Sequence, residues 1–268
     1  MTRAFTLFCL LLPIFSIAQD ENWVTYTSKH EKGPASIMVN LAAKQSAPDK
    51  KLVFLLTTGV SFKECTVEGF PVNNELPLLY DISDSVNYIV SRTIKNNMLV
   101  GTFTYQCQRL DYFYLRDTSE LRIRLTAFYK KRFPAYTAII NIKVDSSWNT
   151  YLKFLYPGED LFEYMQDEKV VNQLKKAGDD VYKERQIDHW LYFTTDSDRK
   201  CIFNYLAEQK FLVESLDRSD RSLYTYSLHI SRIDKADLNS ISKITKGLRT
   251  EAKKCNGLYD GWESPVVK

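Results

Sequence analysis

Apolar residues follow the two-residue period of strands and the three-to-four-residue period of helices in the same order twice along this chain. From Lys51 onward the first half predicts strand, helix, hairpin, helix and strand, and its first helix carries Leu79, Ile82, Val86, Ile89 and Val90. The second half repeats this order from His189 to Val267, and its last helix carries Leu238, Ile241, Ile244, Leu248 and Ala252. We therefore predict an α+β fold of two ferredoxin-like (βαββαβ) domains in tandem.

Additional segments precede and follow the first repeat. Two strand-like runs, Trp23 to Thr27 and Ala35 to Leu41, are joined by the turn-forming Lys32-Gly33-Pro34. The connecting region from Ser146 to Asp167 is rich in aromatic residues, so it predicts short docked helices rather than a flexible linker. A further helix is expected from Asp167 to Ala177.

Helix boundaries carry their own signals. Asp117, with Glu120 three residues later, predicts the start of the second helix in the first half, and Thr195 with Asp198 does the same in the second half. Gly257 lies just past the last periodic residue, which predicts the end of the final helix.

The first 18 residues have the layout of a secretory signal peptide. Arg3 is followed by an apolar run from Ala4 to Ile17, and Ser16-Ile17-Ala18 predicts cleavage after Ala18. The run is too short for a stable membrane span. We therefore predict a signal peptide at 1–18, an N-terminal domain at 19–157 and a C-terminal domain at 158–268. The mature chain is expected in the periplasm or outside the cell, without stable membrane insertion.

Charge and motif content narrow the function classes. The chain has 36 Lys and Arg residues against 33 Asp and Glu residues, which argues against the basic stripe of a nucleic-acid binder. The sequence has three His and lacks a nucleophile elbow, a phosphate-binding glycine loop and a His-x-x-x-His pair. We therefore predict a non-enzymatic protein with no cofactor and no metal site.

Four cysteines lie beyond the signal peptide: Cys65, Cys107, Cys201 and Cys255. An even count in an exported chain allows two disulfides. The βαββαβ topology places Cys65 near Cys107 and Cys201 near Cys255, each pair at one end of its domain. Four buried thiols are the alternative, and a reactive Cys201 at a helix N-terminus is a third.

An aromatic face is predicted on the second sheet. Leu191 and Phe193 are expected to point inward, which leaves Trp190 and Tyr192 on the open face together with His229. Such a face stacks bases or sugars in some RNA-binding sheets. The alternative, which we favour, is packing beneath the first half or beneath the helix that begins at Asp167.

Three motifs in the second half fall in one order on the expected elements. They are Lys175-Lys176-Ala177-Gly178-Asp179-Asp180, His189-Trp190-Leu191-Tyr192-Phe193 and Tyr259-Asp260-Gly261-Trp262-Glu263. From about Asp167 to Lys268 the chain resembles the regulator of ribonuclease E activity B (RraB) family. Within the last motif, Trp262 is expected to close the sheet edge and Gly261 to allow a turn. Asp260 and Glu263, like Asp179 and Asp180, are interpreted as solvated carboxylates rather than cation ligands.

The first half carries a looser set of motifs. They are Trp23, Gly69-Phe70-Pro71, Tyr112-Phe113-Tyr114 and Asp145-x-x-Trp148-x-x-Tyr151. Across most of Trp23 to Pro157 the chain resembles the domain-of-unknown-function family 695, whose name implies no activity.

The better-known relatives of the second half bind a cytoplasmic endoribonuclease and reduce its activity. The resemblance implies a non-enzymatic domain that binds another macromolecule, whereas the signal peptide would separate the chain from a cytoplasmic ribonuclease. We therefore predict an exported protein that binds an unknown protein partner through its sheet edges or the groove between its halves. One alternative is a ligand- or nucleic-acid-binding module that uses the aromatic face. Another is a ribonuclease regulator, if the chain stays in the cytoplasm.

Overall fold

The structure, a computed structural model, describes residues 21–268, so the signal peptide predicted at 1–18 lies outside the described residues. The chain divides into two compact units, one ending at Tyr156 and the other spanning Pro157–Lys268. Both combine an antiparallel sheet with helices, which confirms the α+β class.

The N-terminal unit is built on a six-stranded sheet with the order β1-β2-β4-β5-β3-β6, in which all neighbours are antiparallel. Its elements are β1 (Trp23–His30), β2 (Gly33–Asn40), a 3-10 helix (Leu41–Gln45), β3 (Phe54–Ser61), α1 (Leu76–Thr93), β4 (Asn97–Tyr105), β5 (Gln108–Leu115), α2 (Leu121–Arg132), β6 (Thr137–Val144) and a π-helical turn (Thr150–Leu155). From β3 onward the order is β-α-β-β-α-β. The hairpin of β1 and β2 extends the sheet beyond β4.

The two faces of this sheet are covered differently. Helices α1 and α2 cover one face, around a core that includes Leu56, Phe113 and Val86. On the other face Tyr114 stacks on Trp148 with ring centroids 3.9 Å apart, and the Trp148 indole donates a hydrogen bond to the Leu52 carbonyl at 2.9 Å. The first part of the connecting region, up to Tyr156, therefore belongs to the core of this unit.

Helix α2 begins later than its capping pair predicts. The Asp117 carboxylate accepts hydrogen bonds from the backbone N–H groups of Thr118 and Ser119, so it forms a local turn instead of capping a helix. Glu120 adopts a φ of +58°, its side chain accepts no capping hydrogen bond, and the helix starts at Leu121. The predicted capping box at Thr195 and Asp198 is confirmed.

The C-terminal unit has a four-stranded antiparallel sheet with the order β10-β7-β9-β8. Its elements are α3 (Glu159–Lys176), β7 (Glu184–Phe193), α4 (Asp196–Cys201), α5 (Phe203–Glu208), β8 (Leu212–Arg218), β9 (Tyr226–Lys235), α6 (Leu238–Lys254) and β10 (Gly257–Glu263). From β7 the order is again β-α-β-β-α-β if α4 and α5 are taken as one interrupted helix.

Helix α3 begins at Glu159, eight residues before the predicted start at Asp167. The break at Pro157-Gly158 permits this start, and Glu159 and Asp160 place negative charge in the first turn, where the helix dipole favours it. Apolar periodicity in this first part of the helix is weak, which is why the sequence pattern missed it.

The final helix ends at Lys254, three residues before the predicted glycine. Asn256 takes the left-handed conformation, with a φ of +51°, after the C-cap Cys255. Gly257 is instead required by close packing, because a Cβ there would lie 2.4 Å from the Phe193 ring.

Candidate binding face of the C-terminal sheet

The two-residue period of β7 divides its side chains between a buried face and an open face. His189, Leu191 and Phe193 have no exposed surface and point toward the helices. Asp188, Trp190 and Tyr192 alternate with them and are half-buried on the other side. The inward and outward assignments therefore follow directly from strand geometry.

Trp190 and His229 form the centre of the open face. They are directly opposite each other in the register of β7 and β9, and their rings stack at 4.8 Å with an interplanar angle of 6°. The His229 Nε2 atom lies 2.8 Å from the Asp188 carboxylate. The three side chains thus form one cross-strand cluster in which the imidazole is held between an indole and a carboxylate.

Tyr192 is covered by an arginine from the loop between β8 and β9. The Arg221 guanidinium lies 4.0 Å from the centroid of the Tyr192 ring, within the range of a cation–π contact. The same guanidinium donates to both carboxylate oxygens of Asp260, at 2.9 and 2.8 Å. The loop is thereby fixed across one end of the face.

These contacts determine what the face offers to a ligand. One side of the Trp190 ring is taken by His229 and one side of the Tyr192 ring by Arg221. Free flat ring surface, which base stacking needs, is therefore reduced. What remains is an amphipathic surface of aromatic, arginine and carboxylate side chains.

Helix α3 does not cover this face, which excludes one of the two coverings that we predicted for it. Asp167 of α3 accepts hydrogen bonds from Thr245 of α6 and from the Trp262 indole, which points to the helix side of the sheet. Helix α3 therefore packs beside α6, on the side opposite to Trp190 and His229.

His189 is buried beside the face without being part of it. Its Nδ1 lies 2.9 Å from the Tyr259 hydroxyl, and its Nε2 is buried with no partner among residues 21–268. Burial disfavours the charged imidazolium and lowers the pKa of His189 to about 3. The ring is therefore neutral at physiological pH and contributes to the core.

The remaining motif residues have structural contacts. Phe193 and Tyr259 belong to the core, Trp262 closes the sheet at β10 with its indole bonded to Asp167, and Glu263 is exposed. Gly261 has a φ of +152° at a β-bulge, where the register shifts between Tyr259 and Gly261. Asp260 pairs with Arg221.

The interpretation of Asp179 as a solvated carboxylate is wrong. Its side chain has no exposed surface and pairs with Arg185 at 2.6 Å. Burial alone would raise the pKa of Asp179, but hydrogen bonds from Arg185 and from the Val267 N–H outweigh it and lower the pKa. This pair anchors the C-terminal segment, because Arg185 also donates toward the Pro265 carbonyl.

Each unit contains one disulfide. Cys65 is bonded to Cys107 and Cys201 to Cys255, each with a Cα–Cα distance of 5.7 Å. All four cysteines of the described chain are therefore paired within their own unit, and Cys201 is not a free thiol.

Within residues 21–268 no group of three or more His, Cys, Asp or Glu side chains is placed to hold a metal ion. No helix in this part of the chain combines the length and apolar character of a membrane span.

Comparison with known families follows the division into units. A model described as a family of unknown function, DUF695, matches residues 21–156, slightly more than half of the chain. The chain belongs to the DUF695 family. After this DUF695 domain, the model for regulator of ribonuclease activity B matches residues 165–264. We call the compact unit that contains them, Pro157–Lys268, the RraB-like domain. Both resemblances inferred from the sequence are confirmed. No curated protein matches the chain.

Sequence reasoning missed two residues of the face in the RraB-like domain. Asp188 lies two positions before Trp190, so the strand period that selected Trp190 and Tyr192 also identifies it. Arg221 lies in the loop after β8, and nothing in the local sequence indicates that it reaches Tyr192 and Asp260.

Proposed function

We propose that the protein is exported and acts without catalysis, by binding another protein through the open face of its RraB-like domain. The observation that carries this proposal is the cluster of Trp190, His229 and Asp188 beside Arg221 and Tyr192 on one sheet face. Tryptophan, tyrosine and arginine are the residues that contribute most often to the binding energy of protein interfaces.

The rigidity of the cluster supports a binding role. Asp188 orients His229, His229 stacks on Trp190, and Asp260 holds Arg221 over Tyr192. Side chains that are already fixed lose less conformational entropy when a partner binds. Apolar side chains extend the same sheet surface, since Leu258 lies directly opposite Tyr192 and is partly exposed.

We include in the proposal that each unit is a ferredoxin-like domain and that residues 1–18 form a signal peptide. The strand orders β6-β3-β5-β4 and β10-β7-β9-β8, with antiparallel neighbours, support the first statement. The two disulfides support the second, because disulfides persist in oxidising compartments outside the cytosol.

Ribonuclease regulation is the second candidate function, and the match to the family of regulators of ribonuclease activity B favours it. It requires the chain to remain in the cytoplasm, so the location of the protein separates the two candidates. Recovery in the cytoplasm with residues 1–18 retained would favour ribonuclease regulation. Recovery of a chain that begins at Gln19 in the cell envelope or medium would favour the exported binding protein.

The face itself is tested with tagged full-length protein purified from the compartment in which it accumulates. We compare the unmodified chain, a double variant Trp190→Ala and His229→Ala, and a control Tyr164→Ala, which removes an exposed ring from α3. A defined co-purifying protein that is retained by the control and lost from the double variant supports the proposal. Equal retention by both variants excludes this face.

Intrinsic tryptophan fluorescence tests the alternative of a ligand- or nucleic-acid-binding face. Quenching by oligonucleotides or glycans that disappears in the same double variant would indicate that Trp190 stacks on them. We expect no such quenching, because His229 already occupies one side of the indole ring.

A further inference from the structure

Helix α3 of the RraB-like domain shows what kind of segment covers the groove between the second helix and the last strand of a β-α-β-β-α-β unit. Four ion pairs join it to α6: Asp160 with Lys246 at 2.7 Å, Glu163 with Arg249 at 3.3 Å, Asp167 with Arg249 at 4.0 Å and Glu159 with Lys253 at 3.1 Å. Its Asp167 reaches β10 through the Trp262 indole at 2.9 Å.

The second half of α3 is apolar on the same side, because Val171 and Leu174 follow Asp160 and Asp167 at helical spacing. Val171 and Leu174 pack in one buried cluster with Ile241 of α6 and Trp262 of β10. The segment that fills this groove is therefore a helix that presents carboxylates from its first half and apolar side chains from its second half to α6 and β10.

The corresponding groove of the DUF695 domain lies between α2 and β6. Helix α2 is the second helix of that unit, and β6 is its last strand. Strand β6 lies at the sheet edge beside β3, in the same way that β10 lies at the edge beside β7. The groove has a volume of about 480 Å³. Aromatic rings of Tyr129, Phe133 and Tyr136 line it, together with Ala138 and Ile140 of β6.

The rim of this groove is basic. Arg122 and Lys130 line it, both are exposed, and the lining residues include no carboxylate. Among the described residues, neither side chain has a carboxylate within ion-pair distance, whereas Lys246 and Lys253 of α6 both do. The two basic residues are about two helical turns apart, as Lys246 and Lys253 are.

We propose that the α2–β6 groove of the DUF695 domain binds an acidic helix of a partner protein, one that carries carboxylates and apolar side chains on the same side. Its carboxylates would pair with Arg122 and Lys130, and its apolar side chains would cover Tyr136, Ala138 and Ile140. This helix-in-groove mode matches the chemistry by which α3 is held in the RraB-like domain. The proposal concerns a different domain from the Trp190 face, so either can fail without the other.

The test uses the full mature chain and a fluorescent 18-residue peptide with the sequence of α3, residues 159–176, as the acidic helix. Binding is followed by anisotropy for the unmodified chain and two double variants with equal charge change. Arg122→Glu with Lys130→Glu alters the groove, and Arg124→Glu with Lys131→Glu alters the other side of the same helix. A second peptide carries Asn in place of Asp160 and Gln in place of Glu163, which leaves three acidic and three basic side chains and makes it neutral.

We expect saturable, salt-sensitive binding that weakens about tenfold or more in the groove variant and changes little in the control variant. The neutral peptide should bind correspondingly less. A photoreactive side chain at Thr126 should cross-link the acidic peptide, and one at the solvent-facing Ile123 should not. Absence of saturable binding, equal loss in both variants, or equal binding of the neutral peptide would each overturn the proposal.

Discussion

Asp167 accepts a hydrogen bond from the Trp262 indole at 2.9 Å, across 95 positions of sequence. The same carboxylate accepts one from the Thr245 hydroxyl at 2.6 Å, and its side chain is almost completely buried. One acidic residue therefore joins α3, α6 and β10. Trp262 belongs to the terminal motif by which the sequence resembles the RraB family. This residue of the motif therefore helps to hold α3, α6 and β10 together.

Replacing Asp167 by Ala should destabilise the RraB-like domain by about 3 kcal/mol, because it leaves two buried donors without an acceptor. Urea unfolding measures the change. Glu163→Ala is the matched control: it pairs with Arg249 on the same helix but is partly exposed, so its loss should cost less than about 1 kcal/mol. Equal effects of the two variants would contradict the structural role of Asp167.

His189 should make stability depend on pH. Its pKa is about 3 in the folded protein against an ordinary value of 6.5, so below pH 6.5 the unfolded chain takes up a proton that the folded chain does not. The stability from this group is therefore complete above pH 6.5 and is lost as the pH falls toward 3. Between pH 7 and pH 4.5 the loss should be about 3 kcal/mol.

Gln at position 189 has no titratable group, so the variant His189→Gln should lack this pH-dependent part of the stability. The measurement is the free energy of unfolding from urea curves at both pH values, for the unmodified chain and the variant. Parallel pH profiles for the two proteins would show that His189 is not the group responsible.

The two disulfides should each stabilise their unit by up to about 4 kcal/mol, because they close loops of 42 and 54 residues in the unfolded chain. Replacement of Cys65 and Cys107 by Ser should destabilise the DUF695 domain, and reduction should lower the unfolding midpoint of the native protein. Peptide mapping without reduction should recover only the two intradomain pairs. Cross-domain pairs or free thiols in protein from an exporting host would contradict the structure.

Removing only the carboxylate of the Asp179–Arg185 pair should destabilise the domain more than replacing both residues by apolar ones. Asp179→Ala leaves a buried guanidinium without its carboxylate and should cost about 3 kcal/mol. The double variant Asp179→Leu with Arg185→Met removes both charges and should cost less than the single change. Urea unfolding measures both, and hydrogen exchange at Val267 should increase in the single variant, since its N–H bonds to Asp179.

Much of this architecture follows from patterns that are local in sequence. Strand and helix periods predict the order of elements in both units, and the alternation in β7 separates Leu191 and Phe193 from Trp190 and Tyr192. Capping chemistry predicts the start of α4 at Thr195 and fails at Asp117, where the carboxylate is used by the two N–H groups that directly follow it.

The unpredicted contacts depend on tertiary structure. Asp179 was interpreted as solvated because two adjacent carboxylates normally are, and only the fold reveals Arg185 beside it. Arg221 reaches Tyr192 from a loop, and the hydrophobic periodicity of the sequence does not predict the path of a loop. The helix side occupied by α3 also depends on Asp167, whose donors lie in α6 and β10.

The bulge at Gly261 lets β10 contribute side chains to two separate clusters of the core. Tyr259 and Trp262 are three positions apart, a spacing that would place them on opposite sides of a regular strand. The extra residue at the bulge lets both rings point inward, so Tyr259 joins the cluster of Leu191 and Leu248 while Trp262 joins that of Val171 and Ile187. A single glycine thereby allows one short strand to connect two otherwise separate hydrophobic clusters of the domain.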